Sequence, residues 1–518
     1  MTGGRRLLVA EAVRTARGVH GDAILIDGSH VVAAGDRRTL ESPGVAVHEY
    51  PGAYLLPGMR DAHMHPVPYA SSLCGTSLEG ATSIATLQEI IRDRSAALSP
   101  GAPLIALRLD DESIDEHRLP TRADLDASAP DRPVLIHRYC GHVAIANSAA
   151  LALAGVGRAT SNPGGGSIDR DPNGEPTGVL RETAIELVST HLDASTSVSD
   201  QMLLDALTGM AGMGITSIGA ILGLGDGPWA SLGDEVSRIV SVADRLPISV
   251  HAFVIAHTTD ALTDAVRRLD IGSDRLRWLG YKGFADGSLG GHTAAMHAPF
   301  ADRPDEIGTM RLDSSDRELA VASLEMGGMV AIHAIGDRAN AAVIDLYADL
   351  IDDGANPRKL RIEHASVLGR SDITRIARLG VFASVQPAFL GSEFEWIADR
   401  VGADRIVSTY PFASMDFAGV RMCGGSDSPV ESPDPWAGMA LARDRAGVMP
   451  GEGLLPDRAL SLFTDGAAAA LGEQLPLSPG SPADLVVVDR DPVASDPDQL
   501  RGTVVHETWV RGKRVGVA

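Results

Sequence analysis

The sequence predicts an α/β protein: a (β/α)8 barrel, a small β-sandwich domain formed by both termini, and an insertion after an early barrel strand. Three observations lead to this fold. Through the middle of the chain, apolar strand-like runs alternate with helical stretches, which is typical of parallel βαβ units. Short strands separated by turn residues occur at both ends. Between about residues 90 and 190 the alternation is looser.

The barrel is predicted over residues 58–474. Its strand-like runs each end near a turn, and helical stretches such as "SSDRELAVASLEM" and "RANAAVIDLYADLIDDG" lie between them. The number of repeats favours an eightfold barrel. The clearest runs are "GITSIGAI", "ISVHAFVI", "LRWLGYKGFADG", "GMVAIHAIGD", "KLRIEHASV", "VFASVQPAF" and "VRMCGGSDS".

Strands at the two ends of the chain predict that residues 1–57 and 475–518 pair into one sandwich domain. The start "RLLVAEAV" and the end "ADLVVVDRDPVA" both show short apolar runs bounded by turn residues. Residues 90–190 are interpreted as a capping segment inserted in the barrel. Within it, "SNPGGGSIDRDPNGEPTG" reads as a turn-rich loop.

The composition narrows the expected binding partners and the expected cellular compartment of the protein. The net charge of −23 disfavours nucleic acid, whose binding requires cationic side chains. Cys74, Cys140 and Cys423 are widely spaced and odd in number, which argues against a disulfide framework or a cysteine zinc site. With no long apolar run, we expect a soluble cytoplasmic protein that acts on a small molecule without membrane contact. A homodimer is expected only from the frequency of such assemblies.

The stretch "LLPGMRDAHMHP" gives the first indication of a functional site. His63 and His65 are two residues apart at the end of an apolar run, so in a strand their side chains project to the same side. Two imidazoles in one space suggest a metal ion. Because a chain of 518 residues with 16 histidines often contains such a pair by chance, the pair alone is weak evidence.

Other strand-like runs also end in polar side chains. In a barrel the carboxyl ends of the strands meet at one face, so these side chains are predicted to converge. Taken singly, each histidine could be a core residue, the aspartate a turn or cap residue, and the lysine a solvent-directed side chain. Together they favour a metal site, since imidazole and carboxylate suit Zn²⁺. The set is His63, His65, Lys282, His333, His364 and Asp427.

The lysine is notable because an ammonium group cannot bind a metal. Lysine is also rare here: Lys282, Lys359 and Lys513 are the three lysines, so arginine supplies 42 of the 45 basic residues. A lysine retained at a strand end therefore indicates a specific use.

The motifs as a set resemble the amidohydrolase superfamily, and within it the YtcJ-like branch that includes N-substituted formamide deformylase-type enzymes. They occur in the order of that branch and extend over nearly the whole chain. They are "PGMRDAHMHP", "CGHVAIANSAAL", "GEPTGVLRETA", "YKGFADGSLGGHTAA", "AIHAIGDRAN", "RIEHAS", "ASVQPAF" and "GGSDSPV".

The resemblance implies a binuclear centre, with zinc as the expected metal. His63 and His65 would bind one ion, and His333 and His364 the other. Lys282, carboxylated by CO₂ to a carbamate, would bridge them. Asp427 would contact the first ion and act as general base and acid, so that a metal-activated hydroxide hydrolyses an amide-type C–N bond that is not a peptide bond of a protein.

Further candidates follow from the same motifs. His142, His292, Arg338 and Gln386 are candidates for substrate binding, with packing or loop hydrogen bonding as the alternative for each. Asp61 is either a residue that orients a liganding histidine or an exposed strand-end carboxylate.

Two positions depart from the branch. Where its members read "DGSLGSRTAA", this chain has Gly291 and His292 in place of Ser-Arg, which puts the substrate in doubt. Arg60 stands where an apolar residue is usual.

Three alternatives to an amide hydrolase remain. The same superfamily chemistry also supports deaminases and lactonases, and a barrel without catalysis could serve as a binding module. Mononuclear deaminases generally do without the bridging lysine, so Lys282 favours the binuclear hydrolase. A non-catalytic relative would be expected to have lost ligands, whereas all six are present in this chain.

Overall fold

The structure is a computed structural model that describes residues 4–78, 80–139, 141–163, 166–192, 198–225 and 232–515. Its strands are β1 Arg5–Thr15, β2 Gly18–Val19, β3 Ala23–Asp27, β4 His30–Gly35, β5 Ala46–Pro57, β6 Met59–Met64, β7 Thr76–Ser77, β8 Leu104–Leu109, β9 Val134–Arg138, β10 Val143–Ala146, β11 Gly166–Arg170, β12 Pro176–Glu182, β13 Ile215–Leu222, β14 Ser249–Ile255, β15 Leu276–Phe284, β16 Met329–Ala334, β17 Leu360–His364, β18 Phe382–Val385, β19 Arg421–Gly424, β20 Leu485–Val488, β21 Val505–Val510 and β22 Lys513–Val515.

The helices lie mostly between the barrel strands, as βαβ units require. They are α1 Arg37–Leu40, α2 Pro66–Cys74, α3 Ile84–Ala97, α4 Arg122–Asp126, α5 Ser148–Leu153, α6 Glu186–Ser189, α7 Asp200–Gly212, α8 Glu235–Ser241, α9 Thr259–Leu269, α10 Ser314–Glu325, α11 Asp337–Asp352, α12 Arg370–Leu379, α13 Phe389–Glu393, α14 Ile397–Val401, α15 Phe412–Phe417, α16 Pro435–Asp444, α17 Pro456–Leu462, α18 Asp465–Ala470 and α19 Pro497–Arg501. Among the described residues, no helix combines the length and apolar character needed to cross a membrane.

Eight parallel strands form the central barrel. β6 pairs with β13, and β13 to β19 then pair in succession. The segment after β19 returns to β6, where the Asp427 amide donates to the His63 carbonyl at 2.7 Å and the His65 amide donates to the Ser428 carbonyl at 2.8 Å. These bonds bring the first and last strands together. The predicted α/β class and eight-stranded barrel are confirmed.

The strands of the two termini pair in one mixed sheet, in the order β22-β21-β20-β5-β1-β3-β4, with β2 beside β1. Successive residues of β1 belong to separate apolar clusters: Leu8 packs with Ile24 and Trp509, while Leu7 packs with Leu25. Alternation along a strand places these side chains on opposite faces. The predicted pairing of the termini is present, but the predicted two-sheet sandwich is not confirmed, because the described strands make a single sheet.

A second sheet lies in the chain between β6 and β13. Its six strands have the order β11-β12-β10-β9-β8-β7 and extend from Thr76 to Glu182. The predicted turn-rich loop contains β11 and the start of β12, so reading that whole stretch as a loop was wrong. Pro172 and Gly174, which suggested a loop, lie in the turn between β11 and β12, and "SIDR" was too short and polar to be recognised as a strand.

Candidate metal centre and active site

The six predicted metal ligands lie around one cavity of about 1050 Å³ at the carboxyl end of the barrel strands. This placement follows from parallel pairing, because parallel strands bring their ends to a common face. The residues on its wall include His63, His65, Lys282, His333, His364 and Asp427.

Three of these residues form a compact group. His63, His65 and Asp427 each offer a ligand atom within 4.8 Å of the others. Asp427 Oδ1 lies 3.3 Å from His63 Nε2 and 3.2 Å from His65 Nε2. Two imidazole nitrogens and a carboxylate oxygen at this spacing match the donor set of a zinc ion.

The remaining histidines continue the group across the barrel mouth. The ring centroids of His333 and His364 are 4.4 Å apart, and those of His63 and His364 are 5.0 Å apart. Lys282 Nζ lies 4.5 Å from the centre of the Phe284 ring. His333 Nε2 is 2.9 Å from the Gly287 carbonyl; as donor in that bond, it leaves Nδ1 as the nitrogen with a free lone pair.

Two buried imidazole nitrogens of this group show whether its residues suit a metal ion. His63 Nε2 and His364 Nδ1 make no hydrogen bond within the described parts of the chain. Buried polar atoms are nearly always satisfied, so such exceptions call for a ligand. Since imidazole nitrogen is a common ligand of Zn²⁺ and similar ions, the residues fit a divalent metal.

Glu363 was missed by the sequence reasoning, although it directly contacts a predicted ligand. Its Oε2 pairs with His63 Nδ1, and its Oε1 accepts from Arg361 Nε. Glu363 is fully buried. Burial alone would raise its pKa, but Arg361 and His63 outweigh burial and lower the pKa to about 2. With Nδ1–H bound to a carboxylate, His63 presents the lone pair of Nε2 toward Asp427.

The electrostatics keep Asp427 ionised and His364 neutral. Burial opposes ionisation of Asp427, but His63 and His65 outweigh it and lower the pKa well below its usual range. Burial, followed by the nearby His333, lowers the pKa of His364 well below that of a free imidazole. Burial also lowers the pKa of Lys282 to about 8, against the opposing effect of Glu363 and Asp427.

Asp61 closes the barrel and does not contact the ring of a histidine. It is buried, with 2% of its surface exposed. Its Oδ1 accepts from the His63 amide at 3.1 Å and from the Ser426 amide at 3.0 Å, and its Oδ2 accepts from the Ser426 hydroxyl. The carboxylate thus joins β6 to the segment after β19. The predicted exposed carboxylate is wrong, because Asp61 is buried; its bond to His63 is made to the backbone amide, and a role in orienting that histidine stays a prediction.

Of the four candidate substrate residues, His142 lines the cavity. Its Nδ1 is 3.0 Å from Glu182 Oε2, and its ring centroid is 5.2 Å from that of His333. Glu182 also accepts from Arg311 at 3.0 Å. The inserted sheet therefore contributes side chains beside the predicted ligands.

The other three candidates lie outside the described cavity wall. His292 Nε2 is 3.1 Å from Asp302, and burial, followed by the nearby Arg400, lowers the pKa of His292 to about 3. Gln386 is buried beyond β18, and Arg338 lies in the first turn of α11. The structure brings none of these three to the cavity, so their role in substrate binding stays a prediction.

The unexpected Arg60 lies at the opposite end of the barrel from the cavity. Its Nε donates to Glu473 Oε2 at 2.6 Å, while Glu473 Oε1 binds His251 Nε2 at 2.6 Å and Ser217 Oγ at 2.5 Å. Arg60 belongs to a buried polar network that links β6, β13 and β14. Its departure from the family pattern therefore leaves the ligand cluster unaffected.

Comparison with known proteins decides the family. The model described as "Amidohydrolase family" matches residues 51–516, which is most of the chain. The protein belongs to the amidohydrolase family. The predicted family and the predicted enzyme class, a hydrolase acting on carbon–nitrogen bonds, are confirmed at this level.

Among curated proteins, this amidohydrolase is 30% identical to "Putative amidohydrolase YtcJ" of Bacillus subtilis (strain 168), over 95% of this chain and 96% of that protein. It is 29% identical to "N-substituted formamide deformylase" of Arthrobacter pascens, over 99% and 98% of the two chains. Among solved structures, an uncharacterized metal-dependent hydrolase from Pyrococcus horikoshii OT3 matches with a TM-score of 0.75 and 26% identity, covering 96% of this chain and 99% of the other.

Proposed function

We propose that this amidohydrolase cleaves an amide-type C–N bond of a small molecule, and not a peptide bond of a protein, with Asp427 as general base and acid and two zinc ions as cofactors. The observation that carries the proposal is the convergence of all six predicted ligands on one cavity. The named activity of the Arthrobacter relative, deformylation of an N-substituted formamide, supplies the first substrate to test.

His63, His65 and Asp427 would hold one ion, and His333 and His364 the other, with Lys282 carrying the bridging carbamate. Divalent ions in such a site polarise a carbonyl oxygen and lower the pKa of bound water. A carbamate would convert the Lys282 amine into an anionic group with two oxygen donors. This accounts for a buried lysine among imidazoles and carboxylates.

The protein side chains supply the proton transfer and the alignment. Asp427 takes the proton of the attacking water as the new C–O bond forms, and it delivers that proton to the leaving nitrogen as the C–N bond breaks. The products are a carboxylic acid and an amine. Glu363 fixes the orientation of His63, and the cavity gives the substrate room beside the ligand cluster.

A substrate screen tests the proposed reaction. Metal-replete protein is assayed with N-formyl and N-acyl amines, cyclic amides, lactones and aminopurines, and Asp427→Asn serves as the blank. We expect hydrolysis of at least one amide, with kcat lowered by at least about 100-fold in Asp427→Asn, because the variant has lost its general base. Turnover restricted to lactones or aminopurines would replace the proposal with one of the related activities, and equal rates in the two proteins would remove Asp427 from the mechanism.

A further inference from the structure

Glu235 is a buried carboxyl group on the cavity wall that the proposed mechanism does not use. It begins α8 and has 2% of its surface exposed. Its Oε2 accepts a hydrogen bond from the Gly223 amide at 2.8 Å. Its Oε1 is buried and finds no hydrogen-bond partner among the residues that the structure describes. Such an atom in a cavity is a site for a ligand donor, because leaving it unpaired is costly.

The surrounding backbone fixes Glu235 in this place. Leu224, just after β13, forms a bridge with Asp234, so the chain folds back and sets Glu235 against Gly223. Asp234 is engaged elsewhere: its carboxylate accepts from the Ser237 amide at 3.0 Å and from Arg268 at 2.5 Å. The Asp234 carboxylate is thus already paired, whereas the Glu235 Oε1 is not.

The charges on the wall around Glu235 indicate the sign of the ligand. Glu186, Asp313 and Asp316 also line the cavity. Arg311, a cation on the same wall, is bound to Glu182 at 3.0 Å, and Lys282 belongs to the predicted ligand set. Because the wall carries several carboxyl groups and its arginine is already paired with Glu182, it favours a cationic ligand over an anionic one.

Glu235 differs from the two aspartates on this wall because its spare oxygen is buried, whereas Asp313 is exposed and both oxygens of Asp316 are hydrogen-bonded. Asp313 accepts from the Ser315 amide at 2.7 Å, and Asp316 accepts from the Tyr281 hydroxyl at 2.8 Å. These bonds serve the start of α10 and its contact with β15. The unpaired oxygen of Glu235 has no comparable structural use.

We propose that Glu235 binds a basic nitrogen of the substrate, so that the substrate class is an amide that carries an amine at a distance from the scissile C–N bond. This inference rests on the proposed hydrolase function. An amine on Oε1 would pair the orphan oxygen and fix the substrate along the cavity, with its carbonyl at the ligand cluster. An alkyl end would leave Oε1 unpaired, and a carboxylate end would add a further acidic group to a wall that already carries Glu186, Asp313 and Asp316.

A basic amine suits Glu235 in either protonation state. Burial raises the pKa of this carboxyl group to about 8, so the free group carries its proton at neutral pH. An uncharged amine would accept that proton, and an ammonium ion would displace it to water. Both routes give the same carboxylate–ammonium pair.

The test compares three amides of equal chain length: an N-formyl diamine, the N-formyl alkylamine with methyl in place of ammonium, and the N-formyl amino acid with a terminal carboxylate. Several chain lengths are used. At the best length, we expect kcat/KM for the diamine derivative to exceed that for the neutral amide by at least about tenfold, since a site built to bind a polar group rejects the analogue without it. Preference for the neutral or anionic amide would overturn the inference.

Substitution links that preference to one side chain. Glu235→Gln should reduce the ratio of the two kcat/KM values by at least about tenfold, and Glu235→Asp should retain part of it because the charge remains. Asp313→Asn removes a charge from the same wall while keeping an oxygen for the start of α10, and it should change the ratio by less than about twofold. An unchanged ratio in Glu235→Gln would contradict the assignment.

A binding measurement separates this inference from the proposed function. By calorimetry, n-pentylamine should bind the intact enzyme, and Glu235→Gln should weaken that binding by at least about tenfold. If no amide is hydrolysed but the amine still binds through Glu235, the proposed reaction fails and the amine site stands. Equal binding by both proteins would overturn the amine site whatever the reaction.

Discussion

Glu363 shows how one side chain can determine the donor atom of its neighbour. A histidine can present either ring nitrogen, and the hydrogen bond made by one nitrogen selects the other as ligand. Glu363 accepts the Nδ1 proton of His63 and is itself held by Arg361. The proposed first metal site thus depends on a pair that contributes no ligand of its own.

Replacing Glu363 with glutamine should weaken metal binding without removing a ligand. The amide keeps the size of the side chain but loses the charge that polarises His63. We expect the affinity for the first metal ion to fall about 10- to 100-fold, measured by competition with a chromophoric chelator.

Glu473→Gln is the matched control. It makes the same change in a buried carboxylate at the other end of the barrel, so it should leave metal affinity unchanged even if it lowers stability. Equal loss of metal affinity in both variants would mean that Glu363 affects metal binding only through the stability of the fold.

Lys282→Ala tests the proposed bridge. Without the amine no carbamate can form, so we expect loss of about one metal equivalent and of most activity, with partial rescue by short carboxylic acids. Metal content is measured by elemental mass spectrometry. Lys359→Ala removes a lysine whose Nζ donates to the Gly327 carbonyl at 2.7 Å. Lys359 lies just before β17, at the opposite end of that strand from His364, and the variant should retain full metal content. Full activity of Lys282→Ala at low CO₂ would refute the bridge.

At the scale of the elements, the barrel strands were predictable because each is an apolar run that ends at a turn. The run "LRIEH" became β17, and "GITSIGAI" lies over β13. The signal for Glu363 was also present: Arg361 and Glu363 are two residues apart in an otherwise apolar strand, so both face the same side. Two opposite charges at that spacing in a buried strand predict an internal ion pair.

The inserted sheet was harder to predict because its strands are short and irregularly spaced. β7 has only two residues, and β11 carries Asp169 and Arg170. Glu182 ends β12 with a φ of 54°, a backbone conformation that non-glycine residues seldom adopt. Its pairing with His142 depends on the pairing of β10 with β12 within this sheet, where the Glu182 amide donates to the His142 carbonyl at 2.9 Å, and no local pattern encodes that pairing.

The buried network beneath the barrel makes a prediction at this scale. Arg60→Met removes one partner of a buried ion pair and leaves the Glu473 charge less compensated. We expect the free energy of unfolding to fall by about 3 kcal/mol, measured by urea denaturation, while activity at temperatures below unfolding is retained.

Arg245→Met provides the comparison for this change. It breaks an exposed pair with Asp200, in which the two side chains are 52% and 44% exposed, and should cost less than about 1 kcal/mol. If both substitutions lower the free energy of unfolding equally, the buried network contributes no more to stability than an exposed ion pair.

For the molecule as a whole, the site combines residues from the barrel and from the inserted segment. The ligands come from the barrel, whereas Ala154, Pro163, Glu186 and His191 on the cavity wall come from the insertion or the chain directly after it. The sequence could predict the ligands because strand order places them together. It could not predict Glu235 as a wall residue or Glu182 as the partner of His142, since their positions depend on how loops and an inserted sheet fold over the barrel mouth.

The most direct test of the central claim is anomalous diffraction at the zinc edge from crystals of zinc-replete protein. We expect two peaks at the barrel mouth, one between His63, His65 and Asp427, and one beside His333 and His364, with density for a carbamate on Lys282 between them. Absence of both peaks, or zinc bound only at a distance from these side chains, would contradict the account.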